Sequence, residues 1–333
     1  MKKETLFSQD IMISFMKQIA PLSFLLLLAC SKIPEGIFIE RVENEHFNIL
    51  LITQDSNLSN PIVVFVPGST GGYLPNKYAY PLVKNGYDVL SIAYTGINNL
   101  PNRIEEIPLE YFHAIISWAR EELHGEDRKI VLLGPSRGAE LSLLYASTYD
   151  NINGIIAYSP SCLVVPESLF NRNQDELKSS WTLNGIPIPF APIKVLPEEG
   201  GFIDFVSYYT PLLENEEILD SSMIAVAQIQ CPVLLLSGTE DEVWPSTKMA
   251  NLIESRMRNA DPAAQIKNIA YRDAGHQFLF FGDEPPASFR REQPVRMNGE
   301  KYRFPFGGST AGNQKAMASS QAEVYAFLER IKN

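Results

Sequence analysis

The sequence predicts an α/β fold: a mostly parallel central sheet with helices on both faces and an inserted cap around residues 160–222. Three observations carry that prediction. Runs such as Ile62-Val63-Val64-Phe65-Val66 are continuously apolar, as strands covered on both faces are. These runs alternate with segments of helical periodicity, the βαβα order of a parallel sheet. One of them, Lys129–Leu133, leads directly into Gly134-Pro135-Ser136-Arg137-Gly138 and then a helical stretch, which calls for a tight strand-to-helix turn.

Taken in order, Ile37–Val42 and Phe47–Thr53 read as strands joined by the polar turn Glu43-Asn44-Glu45, an antiparallel edge to the sheet. The parallel part begins at Ile62–Val66 and ends its first strand at Pro67-Gly68. A helix around Lys77–Lys84, a strand Asp88–Ala93 and a helix Pro108–Leu123 follow. Pro108 suits the first position of that helix, and Glu110 meets the positive end of its dipole. The strand Lys129–Leu133, a helix to about Thr148 and a strand Gly154–Tyr158 complete the first half. Between residues 160 and 222 the rhythm breaks, with Pro166, Pro187, Pro189, Pro192 and Pro197 among aromatic residues. Phe170, Trp181, Phe190, Phe202, Tyr208 and Tyr209 there suit either an acyl groove or the core of the insert. Regularity returns with Val233–Ser237, a helix Pro245–Arg258, a strand Gln265–Tyr271 and a last helix. In that helix Val324, Phe327, Leu328 and Ile331 fall at i, i+3, i+4 and i+7, one apolar face.

The 333 residues are 45% hydrophobic and 20% charged, an ordinary globular composition that excludes coiled coil, collagen and disorder. A net charge of −11 leaves no basic face for a phosphate backbone, so no nucleic-acid partner is expected. At the N-terminus, Lys17 precedes an apolar run from Ile19 that peaks at Leu25–Leu28. It falls short of the roughly 20 residues a membrane span needs and reads as a secretory signal. Leu27-Leu28-Ala29-Cys30 resembles the lipobox of bacterial lipoproteins, which implies Cys30 as the lipidated first residue of a membrane-anchored mature chain. Ser31, where aspartate would signal inner-membrane retention, points to the outer membrane of a bacterial envelope. Met12 and Met16 stand as alternative starts. The expected organisation is a signal over residues 1–30 and a single catalytic domain over 31–333. Residues 1–29 carry Lys2, Lys3, Lys17, Glu4 and Asp10, so their removal leaves 304 residues at −12. Cys162 and Cys231 remain, and an oxidising compartment would allow them to pair. A core of that size needs no such staple, and free buried thiols are the expectation. No Cys/His cluster has zinc spacing, and neither metal nor cofactor is called for.

The chemistry centres on G-x-S-x-G at Gly134–Gly138, where the glycines permit a cramped turn that lifts the Ser136 hydroxyl above the sheet edge. A serine hydroxyl is a weak nucleophile and needs an imidazole base. His46, His113 and His124 all precede the motif in the chain, which leaves His276, in Asp273-Ala274-Gly275-His276 after the last strand, as the base. Asp241, in Gly238-Thr239-Glu240-Asp241 after a buried strand, is the carboxylate of choice, with Glu240 next in line. The order Ser136, Asp241, His276 resembles that of the α/β-hydrolases and differs from the chymotrypsin and subtilisin orders. An oxyanion hole would take the backbone N–H of Arg137 and that of Ser69, in Pro67-Gly68-Ser69-Thr70-Gly71-Gly72. The side chain of Arg137, or Arg290, Arg291 and Arg296, offers candidate charge for a phosphate.

Together these residues resemble the C-terminal catalytic domain shared by acyl-CoA thioester hydrolases and the bile acid-CoA:amino acid N-acyltransferase. Local matches are Ile107-Pro108-Leu109-Glu110-Tyr111-Phe112, Ser159-Pro160-Ser161, Asp241-Glu242-Val243-Trp244-Pro245-Ser246, Ala274-Gly275-His276 and Gly307-Gly308-Ser309-Thr310-Ala311-Gly312-Asn313, within about residues 60–331. The resemblance implies a small-molecule acyl thioester or ester as substrate, with Ser136, Asp241 and His276 as the triad. Mammalian members carry an N-terminal immunoglobulin-like domain, for which residues 31–60 are too few. Transferase members use cysteine as nucleophile, so Ser136 favours water as the acyl acceptor. A carboxylesterase or peptidase-like hydrolase of envelope substrates shares the same chemistry. A non-catalytic envelope binding lipoprotein is the alternative of another class.

Overall fold

Five runs of buried, mostly aliphatic residues set the architecture, because each must be covered on both faces. In the computed structural model they lie side by side at the centre of one eight-stranded sheet. The structure describes residues 33–44, 46–54, 60–97, 99–123, 128–166, 177–193, 201–282, 285–297 and 300–332. Cys30 and the expected signal, His124 and Phe170 lie outside the described residues.

In chain order the strands are β1 (Phe38–Glu43), β2 (Asn48–Thr53), β3 (Ile62–Phe65), β4 (Asp88–Ala93), β5 (Ile107–Pro108), β6 (Ile130–Pro135), β7 (Gly154–Tyr158), β8 (Trp181–Leu183), β9 (Ile186–Pro187), β10 (Val233–Gly238), β11 (Ile266–Tyr271), β12 (Glu292–Met297) and β13 (Glu300–Pro305). The α-helices are α1 (Tyr80–Lys84), α2 (Leu109–Glu122), α3 (Arg137–Thr148), α4 (Phe205–Tyr209), α5 (Glu216–Ser222), α6 (Ser246–Ala260) and α7 (Thr310–Lys332). The main sheet runs β1-β2-β4-β3-β6-β7-β10-β11. β1, β2 and β4 pair antiparallel, and every pair from β4 to β11 is parallel.

Alternation along the strands divides the core into two layers. Val64, Leu132, Ile155 and Leu235 face α2, α3 and α6 through Phe112, Ile116, Leu141 and Ile253. Val63, Val131, Ile156 and Leu234 face α1 and α7 through Leu82, Val83, Val324 and Phe327. Chain order reverses at β3, whose neighbours are β4 on one side and β6 on the other. Ligands of open parallel sheets bind at the carboxyl ends of strands beside such a reversal.

The insert leaves after β7 and returns before β10. Val164 N–H donates to Ser222 O (2.9 Å) and Ile224 N–H to Cys162 O (2.9 Å), closing its base. Inside it, β8 pairs with β5 and with β9. Trp181, Phe205 and Tyr209 are buried there, whereas Phe202 is 42% exposed.

Two features differ from the sequence expectation. The helix expected around Lys77–Lys84 is a 3-10 turn at Asn76–Tyr78 followed by α1. Pro81 lacks the N–H a continuous helix would use, so a new helix starts around it. The β12–β13 hairpin was not anticipated, although Asn298-Gly299 between Val295 and Tyr302 is a hairpin signal in the sequence. Cys162 is buried and Cys231 half-buried, and both are free thiols. Among the described residues no helix is long and apolar enough to cross a membrane.

Candidate active site

β6 delivers Ser136 to the carboxyl edge of the sheet, where it caps α3 at φ 56° and ψ −121°. A non-glycine residue at positive φ is strained and persists only when its surroundings fix it. Here Ser136 N–H donates to Tyr158 O at 2.8 Å, and Ser136 O accepts Ala139 N–H at 2.9 Å and Glu140 N–H at 3.1 Å. The turn also needs Gly138, because a Cβ on it would stand 2.1 Å from Val66 O.

β10 and β11 supply the other two groups. His276 Nε2 lies 2.9 Å from Ser136 Oγ, and His276 Nδ1 lies 3.0 and 2.9 Å from Asp241 Oδ1 and Oδ2. The Asp241 side chain is 1% exposed and that of His276 6%. Asp241 Oδ1 also accepts Val243 N–H at 2.9 Å and Trp244 N–H at 3.3 Å. The Trp244 ring stands edge-on to the imidazole, with centroids 5.0 Å apart. Its Nε1–H donates to Ser159 O, while Ser159 Oγ–H donates to His276 O. Both loops are clamped by the segment that leads into α7 and by the first turn of that helix. His276 N–H donates to Phe306 O, Gly308 N–H to Glu240 O and Gly275 N–H to Asn313 Oδ1. Gly307, at φ +74°, allows this approach, since a Cβ there would lie 1.9 Å from Glu240 O.

Structure thus brings Ser136, Asp241 and His276 into one hydrogen-bonded line, and leaves Glu240 exposed. His46 is exposed, and His113 stacks on Tyr149 with its Nδ1 3.3 Å from Tyr145 OH. The loop carrying Ser69 closes against the turn: a Cβ on Gly68 would be 3.6 Å from Ser136 Cβ. Tyr94 OH holds that loop by donating to Pro67 O and Gly68 O at 2.8 and 2.9 Å.

The Arg137 side chain does not serve as a phosphate site. It is buried and paired with Glu140, NH1 to Oε2 at 2.6 Å, with the guanidinium over the Trp181 ring. Its NH2 donates to Val165 O at 3.0 Å and to Ser180 Oγ. Glu140 Oε1 accepts Trp181 Nε1–H at 2.9 Å and Val165 N–H at 3.0 Å. Burial pushes the Glu140 carboxyl up, opposed by Arg137, Trp181 and Val165. This pair, which joins the turn to the insert, was missed in the sequence. The i, i+3 spacing of Arg137 and Glu140 is its signal there, and the contacts with residues 165 and 180–181 have none. Among the described residues no group of three or more His, Cys, Asp or Glu is placed to hold a metal ion.

Residues 107–332, from β5 through α7, match the family described as BAAT / Acyl-CoA thioester hydrolase C terminal. The chain belongs to that family. The matched residues of this thioester hydrolase family include Ser136, Asp241 and His276, but not Ser69. They begin later than the resemblance from about residue 60. Acyl-coenzyme A thioesterase 6 of Homo sapiens is 24% identical over 279 residues, covering 82% of this chain and 60% of that protein. Acyl-coenzyme A thioesterase 1 of Rattus norvegicus is 28% identical over 227 residues, covering 68% and 49%. The chain therefore spans half to three-fifths of the length of these relatives. The uncomplexed acylaminoacyl peptidase of Pyrococcus horikoshii is similar in fold, with a TM-score of 0.50 and 14% identity over 89% of this chain and 41% of that one. Its likeness and the strand order agree on an α/β-hydrolase fold.

Proposed function

We propose that this chain is a serine hydrolase that cleaves acyl thioesters or esters through an acyl-Ser136 intermediate. The observation that carries the reading is the continuous Ser136–His276–Asp241 hydrogen-bonded line at the carboxyl edge of the sheet. His276 Nε2 takes the Ser136 proton as Oγ attacks the acyl carbon. Asp241, held by two backbone N–H groups, fixes the proton on Nδ1 and stabilises the imidazolium. The tetrahedral oxyanion is received by the N–H groups of Ser69 and Arg137, the latter at the positive end of α3. As the intermediate collapses, His276 returns the proton to the leaving thiol or alcohol. Water then repeats the sequence on the acyl-serine, releasing the acid and restoring Ser136.

The names of the curated relatives favour an acyl-CoA thioester. Against that stand the net charge of −11 and the engagement of the Arg137 side chain by Glu140, which removes one candidate for binding CoA phosphates. We further propose export, with lipid on Cys30 and the enzyme held at a bacterial outer membrane; residues 17–30 support this reading. An esterase of envelope substrates would fit that location.

The test is hydrolysis of acyl-CoA and of p-nitrophenyl esters of matched chain length. Ser136→Ala should lower kcat by about a millionfold, and Asp241→Asn by about ten-thousandfold, with unchanged circular dichroism. Full activity in Ser136→Ala would sink the assignment. A fluorophosphonate that fails to label Ser136 in the folded protein would favour a binding protein instead.

A further inference from the structure

Five tyrosines are almost completely buried, and four of their hydroxyls are bonded. Tyr87 OH donates to Glu329, Tyr94 OH to Pro67 and Gly68, Tyr145 OH to Asn151 and Tyr158 OH to Ser320. The fifth, Tyr209, is 1% exposed, and among the described residues its hydroxyl has no hydrogen-bond partner. Buried donors without a partner are rare, and each calls for an explanation.

Its position supplies one. Tyr209 ends α4 in the insert, and its ring packs edge-on against Trp244, centroids 6.0 Å apart. Trp244 in turn stands edge-on to His276. One turn earlier on α4, Val206 lines a cleft of about 360 Å³ together with Gly238, Asp241 and Pro245. Burial holds the Tyr209 phenol protonated far above neutral pH; Arg137 opposes this, and Glu140 and Asp241 reinforce it. The charges that act on this phenol are those of the Arg137–Glu140 pair behind the turn and of the acid of the triad. It is a neutral donor, fixed by packing and without a partner among the described residues.

We propose that the Tyr209 hydroxyl donates a hydrogen bond to an oxygen of the acyl substrate bound over Ser136, so that the insert contributes a polar anchor to the pocket. This rests on the hydrolase reading above. Tyr209→Phe keeps the ring and its contact with Trp244 and deletes only the donor. It should lower kcat/KM for p-nitrophenyl butyrate and butyryl-CoA on the order of tenfold or more. The melting temperature should stay the same or rise, because the free protein loses no hydrogen bond. Unchanged kcat/KM, or a loss of activity accompanied by a lower melting temperature, overturns the proposal. If the wild type hydrolyses neither substrate, the activity and this anchor fall together. If it turns over and Tyr209→Phe matches it, only the anchor falls.

Discussion

Glu140→Gln is the sharpest stability test the structure offers. The substitution keeps the size of the side chain and an Oε1 that can still accept from Trp181 Nε1 (2.9 Å) and Val165 N (3.0 Å). What it removes is the charge opposite Arg137, 2.6 Å away and sealed with side-chain exposures of 6% and 0%. Two unit charges about 4 Å apart attract by about 4 kcal/mol at an effective dielectric of 20. Leaving one partner of a buried pair uncompensated typically costs about 3–5 kcal/mol. Domains somewhat smaller than this one lose about 2–4 °C per kcal/mol and a longer chain loses less, so the melting temperature should drop by about 5–8 °C. Urea unfolding of the wild type, Glu140→Gln, Arg137→Met and the double variant would measure it, with the double variant recovering much of the loss. Burial pushes the Glu140 carboxyl up against the pull of Arg137, and were burial to win, the carboxyl would be neutral. Glutamine would then mimic it at almost no cost. A loss below about 1 kcal/mol, or additive single substitutions, would therefore refute the ion pair.

Two further outcomes are expected. Cys30→Ser should move the hydrolase from the membrane fraction to the soluble fraction with its specific activity intact; an unchanged distribution would remove the case for a lipid anchor. Burial pushes the Glu242 carboxyl up, Arg291 opposes this, and Glu240, Asp204 and Asp241 add to it. A raised carboxyl contributes most below its unfolded value near 4.5 and loses that contribution as pH rises through its folded value. Glu242→Gln should accordingly melt higher than the wild type at pH 7, and the gain should vanish below about pH 4. Parallel melting curves across that range would count against it.

Local pattern made most of the sheet legible. β3, β4, β6, β7 and β10 are buried, mostly aliphatic runs, and their expected bounds differ from the observed ones by two residues or fewer. The turn at Ser136 was legible for a steric reason: only glycine at 138 clears Val66 O. Chain order then left one histidine and one preferred acid on the loops after β11 and β10, and structure joins them to Ser136. The β12–β13 hairpin has its local signal in the sequence pair Asn298-Gly299.

The sequence by itself determined the layered α/β architecture and the three polar residues at its carboxyl edge, because burial pattern, strand order and turn sterics act between near neighbours. Only the tertiary structure decided that the Arg137 guanidinium turns inward to Glu140 rather than outward to a phosphate, that Trp181 covers it, and that Tyr209 stands unbonded beside Trp244. The contacts of Arg137 with Trp181 and of Tyr209 with Trp244 join residues 44 and 35 positions apart across an insert with no repeating pattern. Nothing local sets their partners; how the insert packs on α3 and on the loop after β10 does.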